Sequence, residues 1–232
     1  MTQWYMDRYA RVLSDLKNFP ERNAAIVVLS HGRFTPEGGP NGARTPKQVR
    51  IVEETKECQA RVRFAFDRMV QWRLWHDPEF NQSLMQPVIA LSGATQQLKT
   101  MIDWIIIRSM KKERRHRALL RSTIDCEPFP YANSATQFQA IRRWFDREAH
   151  FGHLFGTVEL LTSDYHVPRC ELYLAKYLPL AERQGTEIRV IGMPWASDPK
   201  RMKPEAAESL KQGEIRRCLQ YAQKGDCAWP WD

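Results

Sequence analysis

The feature that most constrains this chain is the alternation of two periodicities. Short apolar runs of buried-strand length are separated by longer stretches in which apolar residues recur at helical spacing. The runs are 24–29 (AAIVVL), 87–91 (PVIAL), 122–126 (STIDC), 157–161 (TVELL) and 187–191 (EIRVI), and each ends in small or polar residues. Near-continuous apolar runs suit strands covered on both faces. Between them, 46–76 places Cys58, Val62, Ala65, Phe66 and Met69 on one helical face, with Arg61, Arg63, Arg68 and Arg73 mostly off it. Leu98, Met101, Ile102, Ile105 and Ile106 repeat the spacing. A further helix opens with Ser134-x-x-Gln137, a capping-box spacing, and turns Phe138, Ile141 and Phe145 inward. Cys170, Tyr173, Leu174 and Tyr177 mark the next, and a last helix runs from near Pro204 to before Gly225.

Strands alternating with helices of this length predict β-α-β crossovers. The expected fold is therefore α/β: a Rossmann-like, doubly wound, mainly parallel sheet of five or slightly more strands, with helices on both faces. One domain is expected over 1–232, with an N-terminal helix in 1–20, a core over 24–194, and a C-terminal helix and tail over 204–232.

Composition narrows the class. Hydrophobic residues make up 43% and aromatics 11%, which opposes disorder, and no apolar run approaches the length of a membrane span. The first helix carries Asp7, Arg8, Arg11 and Asp15, which a secretory signal would not. Cys58, Cys126, Cys170, Cys218 and Cys227 form an odd, scattered set with no C-x-x-C pair, suited to reduced thiols and a cytoplasmic setting. The net charge of +8 favours anionic partners. Its densest run, Lys111, Lys112, Arg114, Arg115 and Arg117 with Arg121 beyond, reads first as cations at a helix C-terminus.

In a doubly wound sheet, ligands sit beyond the C-terminal ends of the strands. The first strand is followed by Ser30-His31-Gly32 and a Gly/Pro-rich loop, and neither G-x-G-x-x-G nor G-x-x-x-x-G-K-[ST] is present. The second leads into Ser92-Gly93-Ala94-Thr95, where hydroxyls and amides at a helix start could hold an anion or cap the helix. The third ends in Asp125-Cys126-Glu127 and is followed by Asn133, Ser134 and Thr136. Glu127 is a candidate base, and Cys126 a candidate nucleophile for which a buried thiol is the commoner fate. The fourth gives Thr162-Ser163-Asp164-Tyr165-His166-Val167-Pro168-Arg169, which packs two hydroxyls, an acid, an imidazole and a guanidinium into one strand-to-helix turn. Arg169 would stand in the first turn of its helix, where a cation opposes the macrodipole unless an anion or Glu127 lies opposite.

This turn resembles the T-S-x-x-H-x-x-R signature of the YdcF-like proteins, a bacterial group that includes the ElyC and SanA envelope proteins. The order of the other elements is similar over residues 24–194. The resemblance implies a Rossmann-like core and a site comprising Ser92, Gly93, Glu127, Asn133, Ser134 or Thr136, Thr162, Ser163, His166 and Arg169. It associates one branch with S-adenosylmethionine and others with envelope or lipid-carrier metabolism. The chain departs from the pattern at Ser30-His31, where the family has a glycine-rich turn, and at Ala94, where it has a second glycine.

The function expected first is an enzyme, a hydrolase or transferase, acting on a small anionic, nucleotide-like or phosphorylated substrate. His166, Glu127 and His31 would be its acid–base residues. Arg169, with Ser163, Thr162, Ser92, Gly93, Thr95, Ser30, Asn133, Ser134 and Thr136, would bind the anion. The alternative is a non-catalytic module that binds a nucleotide or S-adenosylmethionine. Nucleic-acid binding through the basic cluster, with Trp104 or Trp144 stacking bases, ranks last. His31, Glu127, Asp164 and His166 could converge on a metal, but no tight ligand spacing supports one, and none is assigned.

Overall fold

The computed structural model describes residues 1–18, 24–30, 46–76, 88–94, 98, 102, 125–129, 134–150, 155–183 and 185–230. Its elements are α1 (Thr2–Asp15), β1 (Ala24–Leu29), α2 (Pro46–His76), β2 (Val88–Ala94), β3 (Asp125–Phe129), α3 (Ser134–His150), β4 (Thr157–Ser163), α4 (Val167–Tyr177), β5 (Glu187–Met193) and α5 (Pro204–Gln223). Single 3-10 turns occupy Asp164–His166 and Leu180–Glu182. The protein is α/β with parallel strand pairing. Among the described residues no helix is long and apolar enough to cross a membrane.

The chain divides into two compact units, one comprising Met1–Ala25 with Phe138–Asp232 and the other Ile26–Gln137. In the first, β4 pairs in parallel with β5 from Thr157↔Glu187 to Ser163↔Met193. The pairing runs two residues past each apolar run, because a ladder is built from backbone groups and Thr162, Ser163, Gly192 and Met193 supply them as well as Leu or Ile does. Every residue of β4 is buried. On the strand pair Glu159, 1% exposed, meets Arg189 at 2.5 Å. Helix α3 buries Phe138, Ile141, Trp144 and Phe145; Phe138 stacks on Tyr173 of α4 at 5.6 Å and Trp144 on Phe155 at 5.7 Å. The expectation that Trp144 could stack on nucleic-acid bases is thereby overturned, since its ring is already occupied in the core.

Helix α1 packs on β5 and α4. Arg8 reaches Glu171 of α4 at 2.5 Å and Asp15 at 2.6 Å, and the buried Tyr5 hydroxyl donates to the Tyr165 carbonyl at 2.5 Å. Burial raises the Tyr5 phenol above its ordinary range, so it remains a donor. Tyr5→Phe deletes this buried hydrogen bond and is expected to cost about 0.5–1.5 kcal/mol. Urea denaturation of the two proteins measures the difference, and equal midpoints would show that the bond contributes nothing.

In the second unit β2 pairs in parallel with β3, with Ser92 opposite Glu127 and Gly93 opposite Pro128. Ser92, Gly93 and Ala94 thus belong to the strand, as does Glu127, which had been expected where the third strand ends. The Ser30 amide just beyond β1 donates to the Ser92 carbonyl at 2.8 Å. Helix α2 buries Cys58, Val62, Ala65, Phe66 and Met69 as its periodicity predicts. It also buries Arg61, 0% exposed, and Arg68, two of the arginines expected mostly off that face, while Arg63 does stand in solvent. Arg61 is accommodated because its guanidinium donates to Glu57 at 2.7 Å and to the Leu29 carbonyl at 2.8 Å.

Candidate functional site

The turn after β4 is set by Asp164. Its two carboxylate oxygens accept four backbone N–H groups: Tyr165 at 2.8 Å, Ala196 at 3.0 Å, Trp195 at 3.1 Å and Ser197 at 2.8 Å. Three of these donors come from the loop after β5, so Asp164 fastens the two strand ends of this unit together. With both oxygens so engaged, its role is structural, unlike the metal-facing position considered for it from sequence.

The 3-10 turn then delivers His166 to the N-terminus of α4, and Arg169 follows in the first turn of that helix. His166 is 9% exposed and Arg169 6%. The Arg169 guanidinium lies 3.0 Å from His166 Nδ1 and 3.3 Å from Nε2. The anion opposite Arg169 is Glu214 of α5, a fully buried residue whose Oε2 is 3.1 Å from Arg169 Nε. Glu214 Oε1 faces His166 Nε2 at 3.7 Å and also pairs with Arg217, which is partly exposed. Burial works to lower the Arg169 pKa, but the Glu214 carboxylate and the neighbouring Cys170, Cys218 and Tyr173 outweigh it and leave the guanidinium above its ordinary range. Arg169 also lies over the Tyr221 ring, 5.7 Å from its centre. Its charge is therefore met from within the protein, in contrast to the free anion clamp that its helix-start position suggests.

Thr162, the penultimate residue of β4, is 1% exposed, and its Oγ1 has no hydrogen-bond partner among the described residues. Ser163 beside it is fully buried. A buried hydroxyl without a partner is costly and uncommon, and at a strand's C-terminal end it is a place where a ligand's polar group would be welcomed.

The second unit holds its own polar cluster. Gln137, the second member of the Ser134-x-x-Gln137 spacing, donates its amide to Ser30 Oγ at 2.7 Å and approaches the Ser30 and Ser92 carbonyls at 3.4 Å. Ser92 Oγ, in a residue 6% exposed, has no partner among the described residues. Gly93 is buried beside it, whereas Ser134 and Thr136 are half-buried in the first turn of α3. His31, Thr95 and Asn133 lie outside the described residues, as do Trp104 and the basic cluster from Lys111 to Arg121, and the side chains of Glu127 and Cys126 are not described. Cys58, Cys170, Cys218 and Cys227 are buried and take part in no disulfide. Burial pushes Cys227 up to about 11, which keeps it protonated and unreactive near neutrality.

Two of the chemically informative residues were missed from sequence, Glu214 and Gln137. Each carries the same signal: a polar residue on the apolar stripe of its helix. Glu214 shares its face with Ala207, Ile215, Cys218 and Ala222, and Gln137 shares its face with Ile141 and Trp144. Either could have been marked as a buried group in need of a partner.

Comparison with known proteins finds no matching family model, curated protein or solved structure.

Proposed function

We propose that the protein is an enzyme of the YdcF-like type, a hydrolase or transferase acting on a small anionic, nucleotide-like or phosphorylated substrate at the C-terminal end of β4. The fold that goes with this reading is a doubly wound, Rossmann-like sheet of five strands, supported by parallel pairing in each unit and by the strand–helix alternation. The observation that carries the functional reading is the buried grouping of His166, Arg169 and Glu214 next to the unpartnered Thr162 hydroxyl in sequence. An imidazole is the side chain best suited to taking up and releasing a proton near neutral pH, and His166 stands 3.0 Å from the Arg169 guanidinium and 3.7 Å from Glu214. His166 is the acid–base residue, Arg169 steadies it, and the Thr162 and Ser163 hydroxyls meet the substrate's polar groups. Glu127 and His31 keep the acid–base roles, and Ser30, Ser92 and Gly93 the anion-binding roles, expected of them from sequence. The setting proposed is cytoplasmic.

A non-catalytic module for a nucleotide or S-adenosylmethionine is the second reading. It is favoured by the internal neutralisation of Arg169, which leaves less unbalanced charge for a reaction. One experiment separates the two. Purified protein is assayed against phosphate esters and nucleotides, and the activity found is measured again with His166→Gln. The enzyme reading expects kcat to fall by roughly 10²–10⁴ while ligand affinity is retained. An unchanged kcat would remove His166 from the chemistry, and a ligand that binds without turnover would favour the module.

A further inference from the structure

Three oxygens gather where β1 and β2 of the second unit end: the carbonyls of Ser30 and Ser92 and the Ser30 hydroxyl, all within 3.4 Å of the Gln137 side-chain nitrogen. Building on the anion-binding role proposed for Ser92, we infer that Gln137 is a specificity-determining residue. Its carboxamide covers these oxygens and so makes the end of β2 prefer an anionic group such as phosphate to a cationic one.

The neighbours decide which way round the carboxamide lies. Its nitrogen stands 2.7 Å from Ser30 Oγ and 3.4 Å from each of two carbonyl oxygens, which can only accept. The reversed amide would set oxygen against carbonyl oxygen twice. One amide proton is therefore given to the hydroxyl and the other is turned toward the carbonyl pair. The Ser92 carbonyl also receives the Ser30 amide at 2.8 Å. Gln137 is 8% exposed and starts from the first turn of α3, so these oxygens are met by a donor held in place within the protein.

Uncovered strand-end carbonyls present negative partial charge, which draws an ammonium group and repels a phosphate. Ser92 Oγ, in a residue 6% exposed, has no partner among the described residues and is left to bond a ligand. A hydroxyl does not discriminate by itself, since it both donates and accepts. The preference comes from the carbonyls beside it. With Gln137 covering them, the hydroxyl can donate a charge-assisted bond to an anionic oxygen without opposition from the backbone.

Isothermal titration of the full chain with inorganic phosphate and with methylammonium, on wild type, Gln137→Met, Gln137→Glu and Ser92→Ala, reads this preference. Gln137→Met deletes the donor, and Gln137→Glu keeps the shape of the side chain while exchanging the donor for an acceptor. Both should lower phosphate affinity by roughly tenfold or more, while affinity for methylammonium holds or rises. Because Glu preserves the packing, it decides the question if Met loosens the helix. Phosphate affinity unchanged in the Gln137 variants but reduced in Ser92→Ala would overturn the inference and leave the role of Ser92 standing. Equal loss of both ions would also overturn it, marking Gln137 as a brace for the strands. Wild-type protein that binds no phosphate, or Ser92→Ala that binds it as wild type does, would instead remove Ser92 from anion binding and the inference with it.

Discussion

Glu214→Ala should destabilise the protein by about 3–5 kcal/mol, a large fraction of the stability of an ordinary domain. The cause is the partner left behind. Arg169 has a side chain only 8% exposed, and its Nε lies 3.1 Å from Glu214, so removing the carboxylate strands a positive charge where water cannot reach it. The guanidinium cannot escape the cost by losing its proton, because it remains charged throughout the accessible pH range. Replacing both members, Arg169→Met with Glu214→Leu, removes the stranded charge and should recover most of the loss. Chemical denaturation of the three proteins checks this. A loss below about 1 kcal/mol for Glu214→Ala would mean that the pair is effectively solvated.

Gly192→Ala is the second large effect, and it has a steric origin. Gly192 lies in β5, opposite Thr162 of β4. A Cβ there would fall 2.5 Å from Val12 Cγ1 of α1, 2.8 Å from the Asp164 Cα and 2.8 Å from Val167 Cγ2. The two methyl groups can yield slightly. The Asp164 backbone is held by the four amide bonds to its own carboxylate and has little freedom to retreat. Overpacking of this kind costs about 1–3 kcal/mol or more, and here it would also push the turn carrying His166 out of place. The expected outcome is a lower denaturation midpoint and weaker ligand binding together. Adding Val12→Ala relieves one contact of the three, so it should restore stability only in part. Full tolerance of alanine at 192 would show that α1 is free to move off the strand.

Much of this architecture was legible from periodicity. The runs at 24–29, 157–161 and 187–191 lie in strands, and Cys58, Val62, Ala65, Phe66 and Met69 share the buried face assigned to them. Strand ends were less legible because apolar character stops before the hydrogen-bond ladder does. Ser92, Gly93, Thr162 and Ser163 read as loop residues by composition yet continue the pairing. Of the site, the turn from Thr162 to Arg169 stood out because so many chemical groups fall within eight positions. Its partners did not, because hydrogen bonding and ion pairing over long sequence separations leave no local pattern. Glu214 is 45 residues beyond Arg169, and Gln137 is 107 beyond Ser30. Arg61 was misread for a related reason: its long side chain and guanidinium satisfy a strand-end carbonyl and Glu57 at once, so an arginine can occupy a helix face that faces inward.

The most direct test of a ligand site at the end of β4 is a thermal-shift screen of wild type, Thr162→Val and His166→Gln against nucleotides, S-adenosylmethionine, sugar phosphates and inorganic phosphate. Thr162→Val deletes a buried hydroxyl that has no partner among the described residues, so it should leave the ligand-free Tm unchanged or slightly raised. A phosphate-bearing or nucleotide-like ligand that raises the wild-type Tm but stabilises Thr162→Val much less is the expected result. Ligands that stabilise all three proteins equally would contradict a site at this strand end.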